Sequence, residues 1–366
     1  MKILLLSNMY PSDSHVFYGI FVKNFFNAMT EEGADITKTV IAGRGIGLFS
    51  KCYKYTRYFL ESFRAILKND YDIIYVHSSG LALLPATILR KLIKKPLVVN
   101  IHGGDIMDRS PLNDIVFKLN SSTIVKSSLV VIPSHNFRNT VLANIKLSKT
   151  RIFISPSGGI NRSIFKPIEN KRRYDRTLHI GYISRIDPDK GWDTFISALN
   201  LLRNNSPSLD VKATIVGKGS ELEAMRSMIE SLKLNNIIHI EQLNQNQLPS
   251  IYTNFDLFIF PSRRQSESLG LVGLEAMSCG IPVIASKIGG IQDYIEHGAN
   301  GFSFEPGNHE ELAKIIMGYS SLPSTSREAL RLGAIATAEK YDSKKVSNLL
   351  FNRLKSIVNE NPTAKY

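Results

Sequence analysis

The feature that most constrains the fold is a repeated alternation of short apolar runs with stretches of helical spacing. Residues 3–6 and 73–76 are apolar without interruption, which is typical of strands buried on both faces of a parallel sheet. Between them, Phe21, Phe25 and Met29 recur at every fourth position and share one face of a predicted helix. This pattern predicts an α/β chain with right-handed crossovers and a doubly wound parallel sheet. Further runs of the same kind occupy residues 97–101, 129–132 and 152–154.

The pattern begins again after a charged stretch, residues 171–176, which predicts a linker. A chain of 366 residues suits two domains of roughly 150–200 residues each. We therefore predict two Rossmann-like domains, residues 1–168 and 169–341, whose sheets face each other across a ligand-binding cleft. The second half supplies its own predicted strands at residues 178–183, 211–216, 237–240, 257–260 and 282–285.

The last segment, residues 342–366, predicts a C-terminal helix that can pack back on the first domain. Helical spacing is the evidence, and it is carried by Val346, Leu349, Leu350, Leu354 and Ile357.

Cysteine usage and hydropathy predict a cytoplasmic protein. Cys52 and Cys279 are far apart and fit neither a disulfide framework nor a metal motif. The apolar run within residues 1–7 is too short for a signal peptide and is better interpreted as a first strand. No segment approaches the ~20 apolar residues that cross a bilayer.

The positive charge is concentrated in the first half of the chain. Residues 1–168 contain 22 Lys and Arg against 10 Asp and Glu, so this half carries nearly all of the net charge of +13. Such asymmetry predicts an anionic partner, namely membrane headgroups, nucleic acid or a phosphorylated acceptor. Residues 51–68 and 90–95 mix bases with apolar side chains, and on helices they would form a basic amphipathic surface for anionic lipid. A core-packing helix with a solvated face stays open as the alternative, and no nucleic-acid-binding motif supports that partner.

The densest pattern of chemically useful residues lies between positions 260 and 290. The amides of Ser268, Leu269 and Gly270 would lie at a helix N-terminus, which is a suitable place for a phosphate. Glu267 and Glu275 are eight residues apart, so a loop and a helix could present both carboxylates to one ligand. Carboxylates are strong acceptors for the hydroxyls of a sugar. For an arbitrary pair of glutamates, a capping acid and an exposed helix acid would be the simpler interpretation.

This stretch resembles the E-x7-E motif of the retaining GT-B glycosyltransferases of family 4, the "glycosyl transferases group 1" type. Glu267 and Glu275 match the two glutamates, and residues 280–285 (GIPVIA) match the segment that follows. The resemblance implies that Glu267 contacts the hydroxyls of the donor sugar and that Glu275 contacts the nucleotide ribose. It also implies that the amides after Glu267 hold the sugar or the diphosphate.

Further landmarks of this family occur in the same order along the chain. Gly181 to Arg185, followed by Lys190, resembles the basic pair that clamps the donor diphosphate, and fixed positive charge would stabilise a departing phosphate. Gly217 resembles the glycine turn after the second strand of the donor domain. Gly19 resembles the glycine that lets the diphosphate approach the first domain, with a purely structural glycine as the alternative.

The segment from His102 to Asp105 resembles a strand end of the same family. The resemblance implies that His102 lies near the transferred sugar and that His102 and Asp105 belong to the acceptor side. An ordinary turn histidine is the alternative. The chain departs from the family at Asn161, where Asp is common, and at Asp293, where Glu is more frequent.

Two further patterns do not change this interpretation. Asp187 and Asp189 form a D-x-D pattern, but basic residues beside them already serve the diphosphate, so we expect no metal. Gly217 and Gly219 lack the third glycine of a dinucleotide fingerprint, so we expect no NAD and no other cofactor.

The resemblance implies a hexosyltransferase that acts with retention, by front-face attack, on a nucleotide-diphosphate sugar, with a UDP-sugar favoured. The basic half predicts a polyprenyl-diphosphate-linked saccharide as acceptor, in bacterial surface polysaccharide synthesis of the O-antigen or capsule type. It also predicts a peripheral position at the inner face of the cytoplasmic membrane. Two alternatives stay open: a nucleotide-sugar epimerase of the same fold and a non-catalytic sugar- or lipid-binding module.

Overall fold

The computed structural model of the protein describes residues 1–15, 18–107, 110–167 and 177–360. The chain forms two compact units. The first contains Met1–Gly159 and the chain from Ser343 onward, and the second contains Ile160–Asp342. The linker predicted at residues 171–176 lies outside the described residues.

The first unit is built on the strands β1 (Lys2–Tyr10), β2 (Asp35–Ala42), β3 (Ile73–His77), β4 (Leu97–Asn100), β5 (Leu129–Ile132) and β6 (Ile152–Ile154). Within the described residues they form a six-stranded parallel sheet in the order β2-β1-β3-β4-β5-β6. Because β1 lies between β2 and β3, the chain winds first to one side of β1 and then to the other.

Helices cover both faces of this sheet: α1 (Ile20–Glu31), α2 (Gly47–Lys68), α3 (Leu84–Ile88), α4 (Gly103–Ile106), α5 (Pro111–Lys126) and α6 (His135–Asn144). A 3-10 helix, Lys149–Arg151, precedes β6. Alternate residues of β1 point to opposite faces. Leu4 and Leu6 therefore pack with side chains of α2, α3, α5 and α6, whereas Ile3 and Leu5 pack with side chains of α1.

The second unit contains the strands β7 (Leu178–Ile183), β8 (Val211–Val216), β9 (Ile237–Ile240), β10 (Leu257–Phe260), β11 (Val283–Ser286) and β12 (Gly301–Phe304). Their order in the sheet is β12-β11-β10-β7-β8-β9 and all described pairings are parallel. The strand order reverses between β7 and β10. The prediction of two doubly wound parallel sheets is confirmed.

The helices of the second unit are α7 (Trp192–Asn205), α8 (Leu222–Ser231), α9 (Leu248–Tyr252), α10 (Leu271–Ser278), α11 (His309–Ser320) and α12 (Ser324–Lys340). Two 3-10 helices, Gln245–Gln247 and Gly289–Asp293, complete the unit within the described residues.

The boundary between the units differs from the predicted one at residues 168 and 169. The first unit ends at Gly159, because Ile160 and Phe165 are buried in the core of the second unit. The Ser278 hydroxyl also donates a hydrogen bond to the Phe165 carbonyl oxygen over 2.5 Å. The units therefore meet in sequence several residues before the predicted linker.

The chain returns to the first unit as α13 (Ser343–Glu360), which packs against α1. Leu350 and Leu354 enter the same core as Ile3 and Leu5. Leu349, which was grouped with them by spacing, is instead 63% exposed.

The basic run at residues 90–95 is not helical, so it does not form the amphipathic surface that a helix there would provide. Residues 90–95 form turns after α3 has ended at Ile88. Lys95 precedes Pro96, and a proline disfavours helical backbone at the residue before it. Among the helices of the described residues, none has both the length and the apolar content that crossing a bilayer requires.

Candidate functional site

The order of the second sheet brings two predicted loops to one place. β7 and β10 are neighbours where the strand order reverses, and ligands of doubly wound folds bind at the carboxyl ends of such strands. Residues 184–191 follow β7 and residues 261–270 follow β10. Arg185, Lys190 and Glu267 therefore lie at one edge of one sheet.

Lys190 and Glu267 form the central contact of this edge. The Lys190 Nζ atom lies 2.7 Å from Glu267 Oε2, and the two side chains are only 12% and 16% exposed. Ser262, the second residue after β10, donates its hydroxyl to the same carboxylate oxygen over 3.3 Å. A charged pair that is largely removed from water and has further hydrogen bonds is held firmly in one geometry.

Two glycines let the backbone approach closely enough to fix this pair. Gly191 has a φ of 72°, and a Cβ there would lie 1.9 Å from the Pro261 carbonyl oxygen. A Cβ at Gly289 would lie 2.1 Å from the carbonyl oxygen of Glu267. The neighbouring Gly290 N–H donates to that oxygen over 3.0 Å. A side chain at either approach would push the two loops apart.

Glu275 lies on the buried side of α10, with a different partner. Its carboxylate accepts a hydrogen bond from the Tyr252 hydroxyl over 3.3 Å. Burial raises the pKa of Glu275 to about 7, although the hydrogen bond from Tyr252 opposes the shift. Burial also raises the pKa of Tyr252 well above its usual value, so that hydroxyl keeps its proton. The charge of Glu275 therefore changes with pH near neutrality.

Ser268, Leu269 and Gly270 lead directly into α10. Gly270 has a φ of 78° and no side chain caps the helix. A Cβ at Gly270 would lie 2.4 Å from the Phe260 ring, so the loop rests on the end of β10. An uncapped helix start presents N–H groups that favour an anion. The contact of these amides with a phosphate stays a prediction.

Arg185 has a partner of its own. Its Nη1 atom lies 2.5 Å from Asp187 Oδ2, and the arginine side chain is 65% exposed. Ser220 donates its N–H to Asp187 Oδ1 over 2.9 Å. Burial acts to raise the pKa of Asp187, but the hydrogen bonds from Ser220 and the charge of Arg185 outweigh it and lower the pKa. Among the described residues, no group of three His, Cys, Asp or Glu side chains is placed to hold a metal ion.

The two strand-end glycines of this unit have packing contacts. A Cβ at Gly181 would lie 2.1 Å from the Phe255 ring. A Cβ at Gly217 would lie 1.8 Å from the Ser184 carbonyl oxygen, so the turn after β8 abuts the residue before Arg185. Packing explains why both positions are glycine, and their contacts with a donor stay predictions.

The first unit places His102 beside a second histidine. His77 ends β3 and His102 follows β4, and their rings lie 6.1 Å apart with an interplanar angle of 7°. Phe21 of α1 meets both rings edge-on, at 5.8 and 5.0 Å. Burial lowers the pKa of both histidines; the charge of His102 adds to the effect on His77, whereas Asp105 opposes the effect on His102. Both rings therefore favour the neutral form.

Asp105 connects the segments that follow β3 and β4 through hydrogen bonds. Its Oδ1 atom accepts from the Ser78 hydroxyl over 2.7 Å, and its Oδ2 atom accepts from the His102 backbone N–H over 2.9 Å. A Cβ at Gly19 would lie 2.6 Å from the Met9 carbonyl carbon, so close backbone packing explains why position 19 is a glycine. Asp105 thus positions His102, and the contacts of all three predicted residues with substrate stay predictions.

Three residues at these edges were not among the predicted site residues. Ser262 lies two residues after β10 and His77 ends β3, and a position at or just after a strand end is a signal that could have found both. Tyr252 lies in a polar stretch without periodicity, so nothing local indicates that its hydroxyl reaches Glu275.

Two family models match the chain in succession. One, described as "Glycosyl transferases group 1", matches residues 165–335. The other, described as "Glycosyltransferase Family 4", matches residues 25–158. The first range includes Arg185, Lys190, Glu267 and Glu275, and the second includes His102.

Named relatives are similar over long stretches. The chain is 29% identical over 281 residues to a 2-deoxystreptamine N-acetyl-D-glucosaminyltransferase of Niallia circulans, across 72% of this chain and 71% of that protein. It is 33% identical over 170 residues to a D-inositol 3-phosphate glycosyltransferase of Paenarthrobacter aurescens, across 43% of this chain and 40% of that protein.

Solved structures share the fold along nearly the whole chain. Sucrose-phosphate synthase of Thermosynechococcus elongatus aligns with a TM-score of 0.79 at 16% identity and covers 98% of this chain and 100% of that one. HepE of Anabaena in complex with UDP aligns with a TM-score of 0.76 at 21% identity, covering 97% and 100%. At these identities the likeness establishes the fold alone.

Proposed function

The chain belongs to the GT-B glycosyltransferases of the "glycosyl transferases group 1" type, and on that premise we propose that it transfers a sugar, with retention, from a nucleotide-diphosphate donor. The observation that carries the proposal is the contact of Lys190 with Glu267 where the strand order of the second sheet reverses. Glycosyl transfer needs positive charge beside the departing diphosphate and an acceptor for sugar hydroxyls next to it. This pair supplies both.

In the proposed step, the acceptor hydroxyl attacks the anomeric carbon from the face on which the nucleotide leaves. The bond from that carbon to the diphosphate oxygen breaks, and the hydroxyl proton passes to the departing diphosphate. Lys190, Arg185 and the amides of residues 268–270 stabilise the negative charge of the diphosphate. Glu267 fixes the sugar through its hydroxyls, and Glu275 accepts from the ribose. His102 remains a predicted contact of the transferred sugar.

A UDP-sugar is the favoured donor. The support is indirect: structures of Anabaena HepE, which shares the fold, contain UDP and UDP-glucose. The test is protection from thermal unfolding across UDP-, GDP-, ADP- and dTDP-sugars, since a ligand stabilises the state that binds it. We expect the largest shift with a UDP-sugar. A larger shift with another nucleotide would contradict this preference.

The proposed acceptor is a polyprenyl-diphosphate-linked saccharide in bacterial surface polysaccharide synthesis, of the O-antigen or capsule type. The support is the positive charge of the first half, residues 1–168, which contains 22 basic and 10 acidic residues. A lipid-linked acceptor would place the enzyme at the inner face of the cytoplasmic membrane as a peripheral protein. We also propose that no metal takes part, so transfer should persist in EDTA.

The decisive assay measures donor consumption with and without an acceptor. We expect turnover to require the acceptor and the product to keep the anomeric configuration of the donor, as read by NMR. Isomerised donor without acceptor would show an epimerase instead. Binding of the donor without any consumption, across lipid-linked and free saccharide acceptors, would show a non-catalytic module.

A further inference from the structure

The helices α2, α3 and α5 form a layer on one face of the first sheet. α3 packs against both α2 and α5, and Ile66, Ala86 and Phe117 bring all three helices into the core that also contains Leu4 and Leu6. α2 follows β2 directly, and α5 follows β4 and the short α4. In a parallel sheet, a helix that follows a strand begins at the carboxyl edge. The starts of α2 and α5 therefore lie at the same edge as His102.

Large apolar side chains are exposed at both of these helix starts. Ile46, Leu48 and Phe49 at the start of α2 are 84%, 75% and 91% exposed. Leu112 and Ile115 in the first turns of α5 are also more than half exposed. We call these five residues, two groups that share one edge of the sheet, the apolar edge patch. Ile46, Leu48 and Phe49 lie within four consecutive positions, and such a local group of exposed large apolar side chains marks a site of interaction.

The outer side of α2 continues this apolar character along its length. Tyr58 and Ile66 face the core of the unit. Tyr53, Leu60 and Leu67 recur every seven residues and are all exposed, which places them on the side of the helix that points away from the sheet. Core packing therefore accounts for one face of α2 and leaves the opposite apolar face unexplained.

Basic side chains surround these apolar residues. Arg44 and Lys51 flank the patch on either side of the α2 start, and Arg64 and Lys68 lie farther along the helix; all four are exposed. Arg57 is paired with Glu61, the acidic residue within α2. A second copy of this chain would bring like charges together at such a surface, whereas an anionic bilayer offers both phosphate groups and an apolar interior.

We propose that the apolar edge patch inserts into the headgroup region of an anionic bilayer, with the surrounding bases on lipid phosphates. Insertion would dock the carboxyl edge of the first sheet, where His102 lies, against the membrane surface. This deepens the proposed function and rests on its lipid-linked acceptor, because such an acceptor exposes its saccharide at that surface. The surface differs from the predicted one, since residues 90–95 are not a helix and the starts of α2 and α5 supply the apolar contacts.

The test is co-sedimentation of the full chain with vesicles. We expect binding to phosphatidylglycerol/phosphatidylcholine vesicles at low salt, weak binding to pure phosphatidylcholine vesicles, and release near 1 M salt, where screening is nearly complete. The double variant L48S/F49S should lower the partition coefficient at least about tenfold, because burial of two large side chains is lost. The matched control is Leu349→Ser, which removes a leucine that is 63% exposed from α13 on the other face of the sheet.

Three outcomes would overturn the proposal: no binding to anionic vesicles at low salt, an equal loss in the Leu349→Ser variant, or self-association in solution that L48S/F49S abolishes. Unchanged thermal unfolding would show that L48S/F49S is folded, as expected for exposed positions. Transfer to a water-soluble saccharide should be unchanged in L48S/F49S. A wild-type chain that binds vesicles but transfers no sugar would refute the proposed function and leave the membrane surface standing.

Discussion

The two units bury titratable side chains of opposite kind beside their site residues. In the second unit, Glu275 is buried against Tyr252 and its pKa is raised to about 7. In the first unit, His77 and His102 are buried together and their pKa values are lowered. Burial penalises the charged form of every group. An acid therefore keeps its proton and a base loses it, so the two units should respond to pH in opposite directions.

At the poorly exposed site of the second unit, the opposite charges of Lys190 and Glu267 stabilise each other. Each is in contact with the other, and Ser262 donates a further hydrogen bond. The second unit thus concentrates fixed charge where a diphosphate is proposed to bind. The first unit keeps its site histidines neutral and carries its positive charge on the surface, where it can meet an extended anionic partner.

The largest expected effect is the loss of the charged pair. Lys190→Ala and Glu267→Ala should each lower kcat about 100-fold or more, the range found when one transition-state contact is removed. The double variant should lose less than the product of the two effects, because the residues act through one contact. Lys287→Ala is the control, since it breaks an exposed lysine–glutamate pair of 2.9 Å elsewhere in the unit. Turnover like that of the wild type in both single variants would refute the assignment.

A glycine-to-alanine substitution in each unit should separate close packing from backbone strain. Gly191 and Gly33 both have left-handed backbone, with φ of 72° and 88°, but only Gly191 has an atom near its Cβ position, the Pro261 oxygen at 1.9 Å. Gly33→Ala should cost about 1 kcal/mol from strain alone. Gly191→Ala should cost at least about 2 kcal/mol, because the loops must also separate. The loss of stability in Gly191→Ala is measured by hydrogen exchange of amides in β7 and β10, and the loss in Gly33→Ala by exchange of amides in α1 and β2. Equal losses would show that the loops yield easily.

The third prediction concerns Glu275 and pH. Its folded pKa of about 7 lies above its usual value of 4.5, so the folded unit holds a proton that the unfolded chain releases. The resulting stability is present below pH 4.5 and is lost as pH rises through 7, by on the order of 3 kcal/mol at most. Glu275→Gln should flatten this decline, as measured by hydrogen exchange in β10 and β11 at pH 5 and 8. A decline that persists in the variant would place its origin elsewhere.

The strands that could be predicted from the sequence are those whose residues are mostly apolar, whether they lie inside a sheet or, like β6 and β9, at its edge. Their apolar runs need no partner to be recognised, and the structure contains a strand at each one. β2 and β12 lie at the edges of their sheets. Their exposed and buried residues are mixed, and polar or small residues interrupt both sequences, which an edge strand tolerates because it faces solvent. The unit boundary was missed for a similar reason, since it depends on where Ile160 and Phe165 pack.

The site could be predicted as a set of residues but not as a set of contacts. Spacing indicated Glu267 and Glu275 together, yet the structure gives them different partners, Lys190 and Tyr252. Those partners lie 77 and 23 residues away along the chain. Their approach follows from strand order and from close backbone contacts such as the one at Gly191, and no local pattern encodes either.

The smallest expected effect tests the first unit's half of the pH comparison. The pKa of His77 in the folded unit lies well below 6.5, so below pH 6.5 the unfolded chain binds a proton that the folded unit does not. The stability that neutral His77 contributes is therefore present above pH 6.5 and is lost as pH falls below it, by about 1 kcal/mol per pH unit. The titratable neighbours that face His77 include Tyr75 and His102, with Asp105 beyond His102. His77→Asn should reduce this acid sensitivity in the exchange of β3 and β4 amides, whereas His297→Asn, at an exposed position of the second unit, should not. The slope with pH is the readout, because the substitution itself perturbs the core. An unchanged slope would mean that folding does not lower the pKa of His77, and the contrast between a neutral first site and a charged second site would fail.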